Sequence, residues 1–206
     1  QIGISSEILM ERAGLKVYKE INKYIKNIFQ PKVLVLAGKG NNGGDGFVVS
    51  RLLAANKIKV ETILFGKKEN VKGAVKVNLD ILDKLNISVT EIFVREELEK
   101  LKKYLDEADL IIDALLGTGI KGELRGLYPS LIKLVNQSLT PVISIDIPSG
   151  VEGTDKEGIT NFKSIAGAEE IKERASSGST SAVIVGGGFL GVEIALCLAK
   201  IGVEAS

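Results

Sequence analysis

Five glycines, two asparagines and one aspartate lie within the nine residues Gly38–Gly46, directly after the apolar run Val33–Ala37. This pattern is typical of a buried parallel strand that turns sharply into a helix. Backbone N–H groups at such a helix start can bind an anion. A tight turn that binds nothing is the alternative, but turn formation alone does not require Asn41, Asn42 and Asp45 together. We therefore interpret the stretch as a phosphate-binding loop.

Two further apolar runs end on an acid. Asp113 precedes a glycine-rich segment, and Asp146 precedes a proline and a glycine. Any one of these aspartates could serve only as a helix cap or turn residue. Together with Asp45 they predict one crevice, because the carboxyl ends of parallel strands meet at the same edge of a sheet. The chain contains no histidine, so acid–base chemistry there would fall to carboxylates, lysines or the backbone.

The elements that would position these residues alternate between strand and helix. Such alternation, with connections of helical length, predicts a single α/β domain over residues 1–206, a three-layer α/β/α Rossmann-like fold with a doubly wound, mainly parallel sheet. Gly14 is a predicted weak point of the first helix. The predicted helices are Ser5–Ile28, Asp45–Asn56, Val71–Leu85, Glu96–Tyr104 and Pro129–Gln137, and the predicted strands are Val33–Ala37, Val60–Phe65, Ile87–Phe93, a run from Asp109, and a run from Pro141.

Composition narrows the function classes. The 206 residues carry 27 basic and 26 acidic side chains, so the net charge of +1 gives no sign of binding to nucleic acid or to a membrane surface. The single Cys197 is interpreted as a buried structural thiol. Many Lys, Glu and Ile residues with one Met resemble a thermophile's composition. We expect a cytoplasmic protein whose partner is a small molecule.

Residues 1 to about 159 resemble the N-terminal YjeF domain family, the NAD(P)HX epimerases. The resemblance rests on Lys39–Gly46, Asp113–Gly122 and Asp146–Gly150, in that order, and on the similar Leu9–Gly14 of the first helix. It implies repair of hydrated nicotinamide cofactors, with NADHX or NADPHX as the substrate. The family's habit also suggests a homodimer.

The resemblance implies roles for named residues. Asn42, Asp113 and Ser149 match positions that coordinate a potassium ion, and Asp146 matches a substrate-contacting acid. Without histidine, Asp146 is also the best-placed general acid/base, so we take it as the catalytic residue. Lys121 is either an anion contact or a solvated charge. The residues that would contact the nucleotide are Asn41, Asn42, Gly43, Gly44, Asp45, Gly117, Thr118, Gly119, Ile120, Lys121, Gly122 and Glu123.

The sequence changes character after Gly158. Residues 160–206 resemble the start of the nicotinamide-binding domain of pyridine nucleotide-disulfide reductases, with a possible second dinucleotide loop at Gly186, Gly188 and Gly191. The second strand and its ribose-reading acid are not reached, so the tail is interpreted as a βα fragment. Its Val183–Val185 would pair beside Val142–Ile145.

Two resemblances within one domain predict an engineered chimera, with an epimerase-like part at 1–159 and a grafted βα unit at 160–206. Such a chimera could have lost activity. The alternatives are a fully active NAD(P)HX epimerase and a fold-recombination design with no catalytic function. A nicotinamide-dependent oxidoreductase is disfavoured because the chain has neither a flavin domain nor a redox cysteine pair.

Overall fold

A computed structural model describes residues 3, 5–117, 124–149, 181–182 and 204–205. The helices are α1 (Ser6–Ile25), α2 (Asn41–Ala55), α3 (Gly73–Lys84), α4 (Leu98–Glu107) and α5 (Tyr128–Gln137), with short 3-10 helices at Lys68–Asn70 and Arg95–Glu97. The strands are β1 (Lys32–Ala37), β2 (Lys59–Phe65), β3 (Val89–Ile92), β4 (Leu110–Ala114), β5 (Val142–Ser144), β6 (Ser181–Ala182) and β7 (Glu204–Ala205).

The main sheet is parallel, with the strand order β3-β2-β1-β4-β5. The chain moves outward from β1 through β2 to β3 and then returns, so that β4 pairs with the other side of β1. The strand order therefore reverses between β1 and β4. In doubly wound sheets, ligands bind outside the carboxyl ends of the strands at this switch point.

Alternate residues of β1 belong to opposite faces of the sheet. Leu34 and Leu36 pack in one cluster with side chains of α4 and α5. Val33 and Val35 pack in another with α1 and α2, and Ala37 packs with α1, α2 and α3. Since both faces are covered, the central strands are mostly apolar, and Asp113 of β4 is an exception. The three-layer, doubly wound fold predicted from the sequence is confirmed.

Helix α2 begins at Asn41, four residues before its predicted start at Asp45. Gly40 is its N-cap and supplies no side-chain hydrogen bond. The asparagines and glycines that were predicted to form a loop are thus the first turn of the helix. The free N–H groups of this first turn lie at the edge of the sheet where β1 ends.

The helix α1 packs along α2 through two close contacts. A Cβ on Gly14 would lie 2.5 Å from Val48 Cγ1, and a Cβ on Gly44 would lie 2.4 Å from Met10 Sδ. Gly14 was predicted to weaken α1, but the structure gives it a packing role. The cost of a glycine within a helix is offset by the close approach of two helices.

Strands β6 and β7 form a separate two-stranded parallel sheet, in which Ser181 pairs with Glu204. The predicted pairing of Val183–Val185 beside Val142–Ile145 lies outside the described residues, as do Cys197 and the glycines at 186, 188 and 191. Within the part of the chain that the structure describes, none of the helices has the length and apolar character needed to span a bilayer.

Replacement of Gly14 by alanine tests the α1–α2 contact. Alanine has the higher helix propensity, but its methyl group would overlap Val48, so we expect Gly14→Ala to lower the free energy of unfolding by about 1–3 kcal/mol. Urea denaturation followed by circular dichroism measures the change. Lys16→Ala, at an exposed position on the same helix, is the control and should change stability by less than about 0.5 kcal/mol. A stabilised Gly14→Ala variant would contradict the packing role.

Candidate active site at the switch point

The carboxyl ends of β1 and β4 meet in a contact that only glycine permits. Gly38 donates its N–H to the carbonyl of Ala114 at 3.0 Å. A Cβ on Gly38 would lie 2.0 Å from the carbonyl oxygen of Leu115, and a Cβ on Gly43 would lie 1.8 Å from the carbonyl oxygen of Gly38. Through Gly38, these contacts link the start of α2 to the end of β4, and both positions require glycine for this packing.

Asp113 is buried near the end of β4, with 6% of its surface exposed. Its Oδ1 accepts hydrogen bonds from the Ser149 hydroxyl at 2.6 Å and from the Leu115 N–H at 3.2 Å. Its Oδ2 accepts from the Ser149 N–H at 2.7 Å and from the Ser144 hydroxyl at 3.3 Å. One carboxylate therefore ties the segment after β5 to the end of β4. Hydrogen bonds to a buried charge are among the stronger ones in proteins.

Asn42, in the first turn of α2, contacts the segment that follows β4. It is 8% exposed, and its Nδ2 donates to the carbonyl of Leu116 at 3.1 Å. Its Oδ1 is buried and has no hydrogen-bond partner among the described residues. A buried amide oxygen without a partner is costly in a protein interior, and it commonly marks a site for a ligand, ion or water.

Asp45 on α2 and Asp146 after β5 lie close enough for the charge of Asp146 to act on the Asp45 carboxyl. Burial, followed by the negative charge of Asp146, raises the pKa of Asp45 from 3.8 to about 7. Asp146 lies against Gly117, where a Cβ would lie 2.6 Å from the Asp146 Oδ2. Near neutral pH, a substantial share of Asp45 is therefore protonated, which is the state a proton donor requires.

The structure brings together many of the residues predicted for the site. Asn42, Asp45 and Gly117 lie around the same crevice as Asp113, Asp146 and Ser149, whereas Asn41 is exposed at the helix start. Two predicted parts of the site lie outside the described residues. They are the nucleotide contacts Thr118, Gly119, Ile120, Lys121, Gly122 and Glu123, and the second dinucleotide loop at Gly186, Gly188 and Gly191.

Two groups of this hydrogen-bond network were not predicted from the sequence. The carbonyl of Leu116 receives the Asn42 amide and also lies 3.3 Å from the Ser149 hydroxyl, and Ser144 adds a bond to Asp113. Every residue has a main-chain carbonyl, so the type of residue does not indicate that its carbonyl belongs to a site. Ser144 could have been found, because it is a polar residue in an apolar strand that pairs directly with Asp113.

A family model described as YjeF-related protein N-terminus matches residues 6–198. An NAD(P)H-hydrate epimerase from Limosilactobacillus fermentum is 37% identical over 151 residues, which cover 73% of this chain and 67% of the relative. An NAD(P)H-hydrate epimerase from Nitrosopumilus maritimus is 34% identical over 152 residues, and the match covers 68% of that relative. The bifunctional NAD(P)H-hydrate repair enzyme Nnr of Moorella thermoacetica is 35% identical over 150 residues, or 72% of this chain. The chain spans 28% of that enzyme's length.

The crystal structure of yeast ynu0, YNL200c, superposes with a TM-score of 0.67 at 24% identity. The match covers 80% of this chain and 69% of the yeast chain. At this identity the likeness concerns the fold, and it agrees with the doubly wound sheet described above.

The raised pKa of Asp45 has a consequence for stability. Because the folded state holds this proton more tightly than the unfolded chain, stability falls as the pH rises from about 3.8 to about 7, and the loss is complete above that range. Asp45→Asn carries no charge. It should therefore be more stable than the wild type at about pH 8, by up to roughly 4 kcal/mol, and close to it at about pH 4.

Denaturant unfolding at the two pH values, with exposed Asp106→Asn on α4 as the control, measures the effect. An Asp45→Asn variant whose stability relative to wild type is the same at both pH values would contradict the buried, proton-holding carboxyl.

Proposed function

The chain belongs to the family of YjeF-related protein N-termini, and from this premise we propose that it is an NAD(P)H-hydrate epimerase. Its substrates would be NADHX and NADPHX, whose nicotinamide ring carries a hydroxyl on the carbon next to the ring nitrogen. The reaction would invert the configuration at that carbon. The observation that carries the proposal is the convergence of the α2 start, the buried Asp113 network and Asp146 at one switch point.

The start of α2 suits the phosphate end of such a substrate. The positive end of the helix dipole and its free N–H groups favour an anion without a basic side chain. This agrees with a chain whose net charge is only +1. We assign contacts to the nucleotide to Asn41–Asp45 and to the segment from Gly117 to Glu123.

Asp146 suits the ring end. It lies against Gly117, where a Cβ would come within 2.6 Å of the Asp146 Oδ2, so only glycine fits at that position. We assign it the movement of a proton at the ring hydroxyl, which lets the carbon beside the nitrogen lose and regain its oxygen.

A potassium ion fits the neighbouring oxygens. The Oδ1 of Asn42 has no partner among the described residues. The Ser149 hydroxyl accepts from the Leu116 N–H at 3.0 Å and keeps a second lone pair. Asp113 supplies the negative charge, although four donors already engage its carboxylate. Amide and hydroxyl oxygens beside one carboxylate form a donor set that suits a hard cation.

Asn42 and Ser149 would hold such an ion directly. Bound there, the ion would stabilise the packing of the segment after β5 against α2 and would balance the charge of Asp113. This role concerns the shape of the crevice and involves no proton transfer.

A chimeric origin of residues 160–206 is a separate proposal. The glycine pattern at Gly186, Gly188 and Gly191 supports it. The family model, however, continues to residue 198, past the predicted junction near residue 159. We therefore favour an active epimerase over a graft that has lost its activity.

An epimerisation assay tests the function. Pure (R)-NADHX incubated with the chain should convert to the R/S mixture faster than in buffer, as followed by chromatography. Asp146→Asn should lower kcat by roughly a hundredfold or more, because the general acid/base is removed. The exposed Asp106→Asn variant is the matched control. A wild-type rate equal to that in buffer would overturn the function, and an active Asp146→Asn variant would remove Asp146 from the role.

Thermal unfolding tests the ion. The melting temperature of the wild type should be higher in potassium chloride than in tetramethylammonium chloride of the same concentration, because binding to the folded state stabilises it. Asn42→Ala should lose this increase. Asn41→Ala, at the exposed neighbouring position, should keep it. No increase in the wild type, or the same increase in Asn42→Ala, would contradict the site.

A further inference from the structure

Asp45 lies one helical turn after Asn42 on α2, so the two side chains leave the helix on the same face. That face looks towards Asp146. A Cβ at Gly117 would lie 3.5 Å from Asn42 Cβ and 2.6 Å from Asp146 Oδ2, which places the Asp146 carboxylate close to the first turns of α2. The two carboxyl groups thus come from two different elements that meet at this edge of the sheet, Asp45 from α2 and Asp146 from the segment after β5.

A second observation indicates that this crevice receives a ligand. Asn42 is 8% exposed, and its buried Oδ1 has no hydrogen-bond partner among the described residues. Two facing carboxyls alone could be an accident of packing. A partnerless buried amide oxygen beside them is the expected sign of a site whose remaining contacts come from a bound molecule.

We propose that Asp45 and Asp146 are an acid–base pair, with each carboxyl handling a proton on one face of the hydroxylated ring carbon. The inference rests on the epimerase function proposed above and assigns to Asp45 a chemical role rather than a binding one. Inversion at a carbon requires the oxygen to leave from one face and to return on the other. A crevice with one carboxyl on each wall meets that requirement, and two carboxyls on opposite sides of a sugar ring do comparable work in inverting glycosidases.

Asp45 donates its carboxyl proton to the ring hydroxyl, the C–O bond breaks, and its electron pair leaves with the oxygen as water. The lone pair of the ring nitrogen forms a C=N bond to the same carbon. A water molecule then adds to the opposite face, the C=N π electrons return to nitrogen, and the Asp146 carboxylate takes a proton from that water. In the reverse direction, Asp146 is the donor and Asp45 the acceptor.

The environment of Asp45 suits the donor role. Burial and the charge of Asp146 raise the pKa of Asp45 to about 7, so the proton is present near neutral pH. Two charged side chains on the neighbouring helices have partners of their own. On α1, Glu11 pairs with Arg51 of α2, and on α3, Lys76 pairs with Asp80. On β4, Asp113 is bound by Ser149.

The experiment compares wild type, Asp45→Asn, Asp146→Asn and Asp106→Asn in the (R)-NADHX assay across pH, with the affinity for ADP-ribose measured by calorimetry. Asp45→Asn should lower kcat by roughly a hundredfold or more with the ADP-ribose Kd changed less than about threefold. The wild-type rate should fall as the pH rises through about 7, and the residual rate of Asp45→Asn should lack this fall. In H2¹⁸O, each molecule of epimerised product should carry solvent oxygen.

The acid–base pair can fail independently of the epimerase function. If the wild type is active and Asp45→Asn is equally active, the acid–base pair is overturned and the epimerase function stands. Loss of ADP-ribose binding in Asp45→Asn makes Asp45 a binding residue and also overturns the pair. Product that keeps its original oxygen overturns the step. A wild type without epimerase activity overturns the proposed function and this inference with it.

Discussion

The buried carboxylate of Asp113 is the interaction on which the site depends. It sits at the end of β4, the strand beside which the sheet order reverses, and it accepts both the N–H and the hydroxyl of Ser149. Leaving a buried carboxylate without partners costs several kcal/mol, so the segment after β5 is held close to β4. Asp146, three residues before Ser149, is positioned by the same constraint.

The opposite wall of the crevice depends on glycine. Gly38 and Gly43 allow the end of β1 and the start of α2 to approach β4 more closely than any side chain would permit. This approach brings Asn42 within hydrogen-bonding distance of the Leu116 carbonyl. The two walls therefore meet at Leu116, which also lies next to Ser149. Apolar packing on both faces of the sheet fixes the positions of these two walls. The groups able to do chemistry are a few polar side chains at this edge of the sheet.

The fold followed from the sequence, and so did the placement of Asp113 and Asp146 at one edge of the sheet, because strand periodicity and acids at strand ends report directly on a parallel sheet. The start of α2 did not, since glycines and asparagines favour loops and only tertiary contact with α1 and β4 makes them helical. Gly14 was misjudged for the same reason, as its neighbour Val48 is distant in sequence. Carbonyl acceptors such as that of Leu116, and the raised pKa of Asp45, depend on tertiary packing that no local pattern reveals.

The central claim is that a hydrated nicotinamide ring sits between the two walls, with Asp45 on one face and Asp146 on the other. A crystal structure of the Asp146→Asn variant with NADHX measures this directly. We predict ring density in the crevice, with the hydroxylated carbon between residues 45 and 146 and the diphosphate at the start of α2. Density for the dinucleotide away from the carboxyl ends of β1 and β4, or a ring with both carboxyl positions on one face, would contradict the account.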